Sequence, residues 1–266
     1  MTHNQTNVRN QQNGRTQGKK GNNTFFSFDS SNMSYIFYHE YFEEKKDIDF
    51  TQKNKALEHF NQFDYSSSPV ISWRQLDHYL CLTLKTVYPG LLIGTGYPHI
   101  LNEKGVIKAG FSFDYVTGLP YVPGSSLKGL LRHYFPKHHT DSIKIDYIKS
   151  ALPSLNQEEI LELVDLIFEG KDVFLGAFPS DKNKEKKILA QEYITPHRSP
   201  IKNPIPINLL KVKDDVFFEF GFMLKDSYLS SDKIVTAKDK LTIFQMILID
   251  MGIGSKTNTG FGRLEK

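Results

Sequence analysis

MGIGSKTNTGFGRL, residues 251–264, sets four glycines (Gly252, Gly254, Gly260 and Gly262) around a polar, basic centre. Glycine accepts positive φ and lets a backbone approach another group closely, so the amides of such a loop can face a polyanion. Gly254, Lys256, Thr257, Asn258 and Thr259 are the candidate contacts, and Arg263 follows them. Two nucleotide motifs compete for the segment, and both fail on spacing. A P-loop needs glycine immediately before its lysine, but Ser255 precedes Lys256. A dinucleotide fingerprint needs its third glycine where Thr257 stands. Upstream, Thr236 can cap a helix running to about Asp250, with Leu241, Phe244, Leu248 and Met251 facing inward. Downstream, a short strand is expected from Phe261.

A second segment with chemistry is GLPYVPGSSLKGLLR, residues 118–132. Pro123-Gly124 forces a turn before a helix expected over 125–135, whose start Ser125 or Ser126 can cap. Leu127, Leu130, Leu131, Tyr134 and Phe135 recur at helical spacing, while Lys128 and Arg132 share another face. The free N–H groups and partial positive charge of a helix start suit a phosphate. That makes Gly124, Ser125, Ser126, Lys128 and Arg132 candidate contacts. An ordinary capped helix explains the same residues without a ligand, so both readings stand at this point.

The remaining periodicities supply a framework. Residues 79–87 alternate as a strand, 90–99 are turn-rich, and 111–122 suggest a strand with a turn at Thr117-Gly118. Two helices are expected within 141–170. The second starts at Asn156, with Glu159 completing a capping box, and buries Ile160, Leu163, Val164, Ile167 and Phe168. Its opposite side carries Glu158, Glu162, Asp165 and Glu169, a face that repels RNA. Strands at 173–178 and 188–195 flank a charged turn, SDKNKEKK. Residues 196–206 are proline-rich and irregular, and 216–224 form another strand. The core order strand, helix, strand, strand, helix, strand is that of an α+β, ferredoxin-like split βαβ fold with a helical insertion at 141–170. Residues 31–266 are expected as one elaborated domain behind a disordered polar, basic tail, 1–30. The aromatic run at 35–42 reads as core or a subunit contact.

Charge is uninformative in bulk. Four of the 33 Lys and Arg lie in the first 24 residues, which leaves 29 against 30 Asp and Glu. An argument for nucleic acid must therefore come from local patches. The single cysteine, Cys81, excludes a disulfide framework and a cysteine zinc site within the chain. No HExxH motif or acidic cluster of ligand spacing occurs, so neither metal nor cofactor is expected. The lack of a signal-like or bilayer-length apolar run points to the cytoplasm. Among nine histidines, His99 and His197 sit in loops within reach of a phosphate, and Arg198 adjoins His197. Either histidine could act as a general acid or base, but spacing reveals no orienting partner. A binding role for His197 and Arg198 is the simpler expectation.

The glycine loop and PGSSLKGLLR together resemble the paired signatures of the CRISPR RAMP superfamily. Three stretches carry the likeness toward subunits of the type III-B effector, the Cmr complex: GTGYPHILNEKG at 94–105, YITPHRSPIKNPIPINLLKV at 193–212, and the loop itself. The likeness covers roughly 79–264. One departure stands before Thr195-Pro196-His197, where the family's usual aspartate is absent from Gln191-Glu192-Tyr193. The resemblance implies a RAMP fold and a non-catalytic subunit that holds crRNA near its 3′ end in antiviral defence. Its implied partners are crRNA, target RNA as a second nucleic acid, and the other RAMP and small helical subunits. The family also contains metal-independent endoribonucleases that process repeat RNA, and that is the alternative. On this reading the two signatures form two halves of one phosphate-binding surface.

Overall fold

The computed structural model describes residues 26–45, 47–94, 103–108, 110–195 and 206–266. At its start, Phe28 is buried and Glu40 accepts hydrogen bonds from the Asp29 and Ser30 amides. The end of the expected tail is thereby packed. The aromatic run forms α1 (Met33–Tyr35), capped by Asn32, and a π-helical turn, Ile36–Glu40. Ile36, Phe37 and Tyr41 are core, whereas Tyr35 and Tyr38 remain exposed. Next come α2 (Phe50–Phe60), on an Asp49–Gln52 capping box, and the short α3 (Pro69–Trp73).

The central sheet begins with β1 (Tyr79–Thr86). The brief β2 (Val122–Pro123) runs straight into α4 (Gly124–Tyr134), followed by α5 (Ser142–Ala151), α6 (Gln157–Phe168) and β3 (Val173–Pro179). Then come β4 (Leu189–Ile194), β5 (Ile207–Val212), β6 (Phe217–Met223), β7 (Ser227–Tyr228) and β8 (Ile234–Val235). α7 (Ala237–Met251) and β9 (Leu264–Glu265) complete the chain. One antiparallel sheet has the order β2-β3-β6-β1-β9; β4 pairs with β5, and β7 with β8, in separate two-stranded ribbons. The class is α+β. β1, α4, β3, β6, α7 and β9 follow the strand and helix order anticipated, with the β4–β5 hairpin inserted between β3 and β6.

Period-two patterning places Leu82 and Leu84 of β1 beside Phe220 and Phe218 of β6 on one face. Phe222 of that face meets Phe174 of β3 and Phe244 of α7, and Phe135 and Phe168 close the aromatic core. On the other face Trp73 lies over Gly221, where a Cβ would come within 2.8 Å of the indole. Arg74 there bridges Asp181, at 2.9 Å, and the buried Glu219.

Several expectations change. Over 111–122 the anticipated turn at Thr117-Gly118 forms, with Asp114 accepting from the Thr117 amide and hydroxyl, but the flanking residues make only a Phe113–Pro120 bridge and the start of β2 at Val122. β5 was not anticipated. α7 turns its buried face to Lys240, Ile243, Phe244, Ile247 and Leu248, leaving Leu241 and Met251 half-buried. Lys240 can face inward because its ammonium meets the equally buried Asp172. No side chain caps α4, so neither Ser125 nor Ser126 does so. No helix among the described residues is long and apolar enough to cross a membrane.

Candidate nucleic-acid interface

The glycine loop is closed by its own backbone. Gly252 ends α7 at φ 69°, the Ile253 amide donates to the Gly262 carbonyl at 2.9 Å, and the Gly262 amide donates to Gly90 at 2.8 Å. The Ser255 amide donates to Leu92, also at 2.8 Å. A Cβ on Gly252, Gly254 or Gly262 would lie 2.5, 2.3 and 1.8 Å from the carbonyl oxygens of Gly262, Leu92 and Ile253. These glycines thus serve close approach within the chain. They build a rigid stem from which Lys256, left-handed at φ 58°, opens a 3₁₀ turn, Thr257–Thr259. The Thr259 amide and hydroxyl both donate to the Lys256 carbonyl. Gly254, Lys256, Asn258, Thr259 and Arg263 are exposed, and Thr257 is half-buried. The Lys256 and Arg263 side chains have no ion-pair or hydrogen-bond partner among the described residues. Two uncommitted cations on a fixed backbone are what a phosphate chain can use.

The stem rests on a small apolar cluster of Leu92, Leu209 and Phe261, with Ile194 and Ile207 against it. Leu91 and Val212 exchange backbone hydrogen bonds at 2.9 Å, and the Lys108 amide donates to Asn208 at 3.1 Å. The roots of the 94–105 and 193–212 stretches therefore meet beneath the glycine loop. His99, His197 and Arg198 lie outside the described residues. Where the family's aspartate is missing, Glu192 pairs with Lys211 at 2.7 Å, and that ammonium holds its carboxyl below the usual range. Lys211 also donates to the Pro89 carbonyl at 2.8 Å, tying the hairpin to the segment after β1.

The other signature lies elsewhere. α4 leaves the sheet from β2, one edge strand, and the glycine loop enters β9, the opposite edge. Four inter-strand steps separate them, about 19 Å. β2 also runs antiparallel to β3, carrying Gly124 toward the start of β3, where its Cβ would lie 2.1 Å from the Phe174 carbonyl oxygen. Ser125 and Ser126 are exposed at that helix start. Lys128, however, donates to the Phe168 carbonyl, and Arg132 lies over the Phe168 ring at 5.5 Å. Both cations thus face the C-terminal end of α6, where the free carbonyls of a helix favour positive charge. The two signatures thus lie at opposite edges of the sheet, and the described residues that adjoin the glycine loop include Leu91 and Leu92 with Ile207, Leu209 and Val212 of β5. Among the described residues, no group of three or more His, Cys, Asp or Glu is placed to hold a metal ion.

The chain is 26% identical over 221 residues to the CRISPR system Cmr subunit Cmr6 of Pyrococcus furiosus, covering 62% of this chain and 63% of that protein. It is 27% identical over 167 residues to the CMR subunit Cmr6 of Saccharolobus solfataricus, covering 61% and 50%. The chain thus spans between half and just under two thirds of the length of these relatives. Similar solved structures include a chain of the type III-B Cmr-beta complex bound to cognate target RNA (17% identity, TM-score 0.49, 87% of this chain and 84% of that one). Another is Cmr6 from Pyrococcus furiosus (21% identity, TM-score 0.44, 71% and 98%). Residues 83–265, which run from the middle of β1 to β9 and include both signatures, match the RAMP superfamily, and the chain belongs to it.

Proposed function

We propose that this chain is the Cmr6-type subunit of a type III-B CRISPR effector complex, a non-catalytic, cytoplasmic protein that holds the crRNA backbone near its 3′ end. One observation carries the reading: a RAMP-family glycine loop, locked by its own backbone, presents Lys256 and Arg263 without ion-pair or hydrogen-bond partners among the described residues. Such a surface recognises phosphates and not bases, so binding is largely independent of sequence and sensitive to salt. The contacts are Gly254, Lys256, Thr257, Asn258, Thr259 and Arg263, joined by His197 and Arg198 from the chain between β4 and β5. Gly124, Ser125 and Ser126 meet a different part of the RNA or a neighbouring subunit, while Lys128 and Arg132 brace the helix that bears them. Other RAMP and small helical subunits are its protein partners, and target RNA comes within reach once paired to the guide.

The test is to isolate the tagged chain from its native host and sequence the RNA that accompanies it. Guide RNAs bearing CRISPR spacers, together with Cmr subunits, are the expected result. Host RNA of random origin, or none, would contradict the reading. Cleavage of repeat RNA by the purified chain in EDTA would favour a nuclease instead.

A further inference from the structure

β3 ends at Pro179, and SDKNKEKK, residues 180–187, leads toward β4. A run of lysines in a surface loop is usually a mobile, solvated face. This backbone is held on both sides. Asn183 accepts from the Phe217 amide and donates to the Ser180 and Phe217 carbonyls, each at 2.8 Å. The Tyr65 hydroxyl donates to Glu185 at 2.7 Å, the Phe63 amide to Lys186 at 3.1 Å, and the Lys213 ammonium to Lys187 at 2.7 Å. Every one of these bonds engages backbone, and the side chains of the loop's own lysines are left out of them, Lys213 alone contributing its ammonium. Lys184, Lys186 and Lys187 are exposed and make no side-chain hydrogen bond or ion pair among the described residues. Lys182 reaches only the Thr83 hydroxyl, at 3.4 Å.

The neighbouring acids are largely committed. Asp181 is held by Arg74 at 2.9 Å, and Asp215 by Lys85 at 3.1 Å. That leaves Glu185, Asp214 and Asp64, which interacts with Lys186, against Lys182, Lys184, Lys186, Lys187 and Lys213. The loop and the turn before β6 enclose an open groove of about 520 Å³, with Lys182, Lys184 and Lys213 on its walls.

Strand register puts this groove at the same end of the sheet as the glycine loop. Pro179 pairs with Phe218, Lys85 with Phe217 and Glu265, and Thr86 with Leu264. The lysine loop, the turn before β6, the segment after β1 and the glycine loop all leave the sheet beyond that row. Three inter-strand steps, about 14 Å, separate β3 from β9, a span that a few nucleotides cover.

We propose that the 180–187 loop, with Lys213, is a second phosphate-backbone contact, so that RNA lying on the glycine loop continues across the end of the sheet into the lysine groove. The proposal rests on the RNA-binding function argued above. Composition favours RNA over a protein occupant, because protein interfaces are depleted of lysine and centred on aromatic or arginine anchors. This groove has only Ile188, Val216 and Phe217 as apolar lining.

The experiment compares the full chain, the K184A/K186A/K187A variant and the K256A/R263A variant. Affinity for a guide-length single-stranded RNA, and for the same guide paired to its target, is measured across a salt series. Each lost phosphate contact removes about 0.7 from the slope of log K against log salt. The triple variant should therefore lose about 2 in slope and about tenfold or more in affinity at low salt, with unchanged thermal stability. Loss on the single strand assigns the groove to the guide; loss on the duplex alone assigns it to the target strand. Unchanged affinity and slope on both RNAs, while K256A/R263A weakens binding, overturns the groove and leaves the glycine-loop reading standing. No RNA binding by the unaltered chain removes the foundation of both.

Discussion

Gly260 and Gly262 are two residues apart, both at positive φ (95° and 73°), and differ in what surrounds them. An alanine at 260 meets only the Pro89 Cδ, at 3.6 Å, an ordinary contact. An alanine at 262 sets its Cβ 1.8 Å from the Ile253 carbonyl oxygen, a backbone atom of the loop stem. G260A should therefore cost only the left-handed penalty, about 1–2 kcal/mol. G262A carries the same penalty and must also open the stem. That sacrifices the bonds from Ile253 to Gly262 and from Gly262 to Gly90, about 1 kcal/mol each. The expected total is about 3–4 kcal/mol, still below the stability of an ordinary domain. Urea unfolding of both variants gives the comparison, and RNA affinity of the folded G262A protein should fall as Lys256 loses its fixed mount. Equal destabilisation by the two substitutions would refute the idea that close backbone approach selects glycine at 262.

Lys128→Ala should lower stability, by about 1–2 kcal/mol for a lost charged hydrogen bond at a half-exposed site, and leave RNA affinity unchanged; thermal melts alongside RNA titration check both halves. Asp172→Asn strands the buried Lys240 ammonium and should cost about 3–5 kcal/mol, whereas D172L/K240M should recover most of it in the same unfolding assay. Asp181, held by the Arg74 guanidinium, titrates at about 2 in the fold, below its ordinary value of 3.8. A carboxyl depressed by folding stabilises above its unfolded pKa and loses that contribution as pH falls through the folded one. Stability should therefore drop between about pH 4 and pH 2, and D181N should show a shallower drop when melting temperatures are compared across that window.

Much of the fold was legible because local signals agreed with the tertiary outcome. The capping boxes at Asn156–Glu159 and Thr236–Asp239 start α6 and α7 where the sequence placed them. The alternation at 79–87 gives β1. β5 was missed because INLLKV follows a proline-rich stretch and its polar residues, Asn208 and Lys211, stand three apart and are both buried, which breaks the period of two. At the site, the glycine loop was legible from spacing, but its neighbours were not. Helical spacing put Lys128 and Arg132 on one face and could not say that Phe168 faces them. Likewise, SDKNKEKK read as a charged turn, since only the sheet register brings it to the glycine-loop end.

The most direct measurement of the central claim is the salt dependence of guide RNA binding by the unaltered chain and by K256A/R263A. Both side chains are exposed, and the backbone bonds of the loop do not involve them, so the variant should fold normally. Two lost phosphate contacts should weaken binding at low salt and reduce the slope of log K against log salt by about 1.4. An unchanged slope and affinity would contradict the assignment of the glycine loop as the RNA-backbone surface.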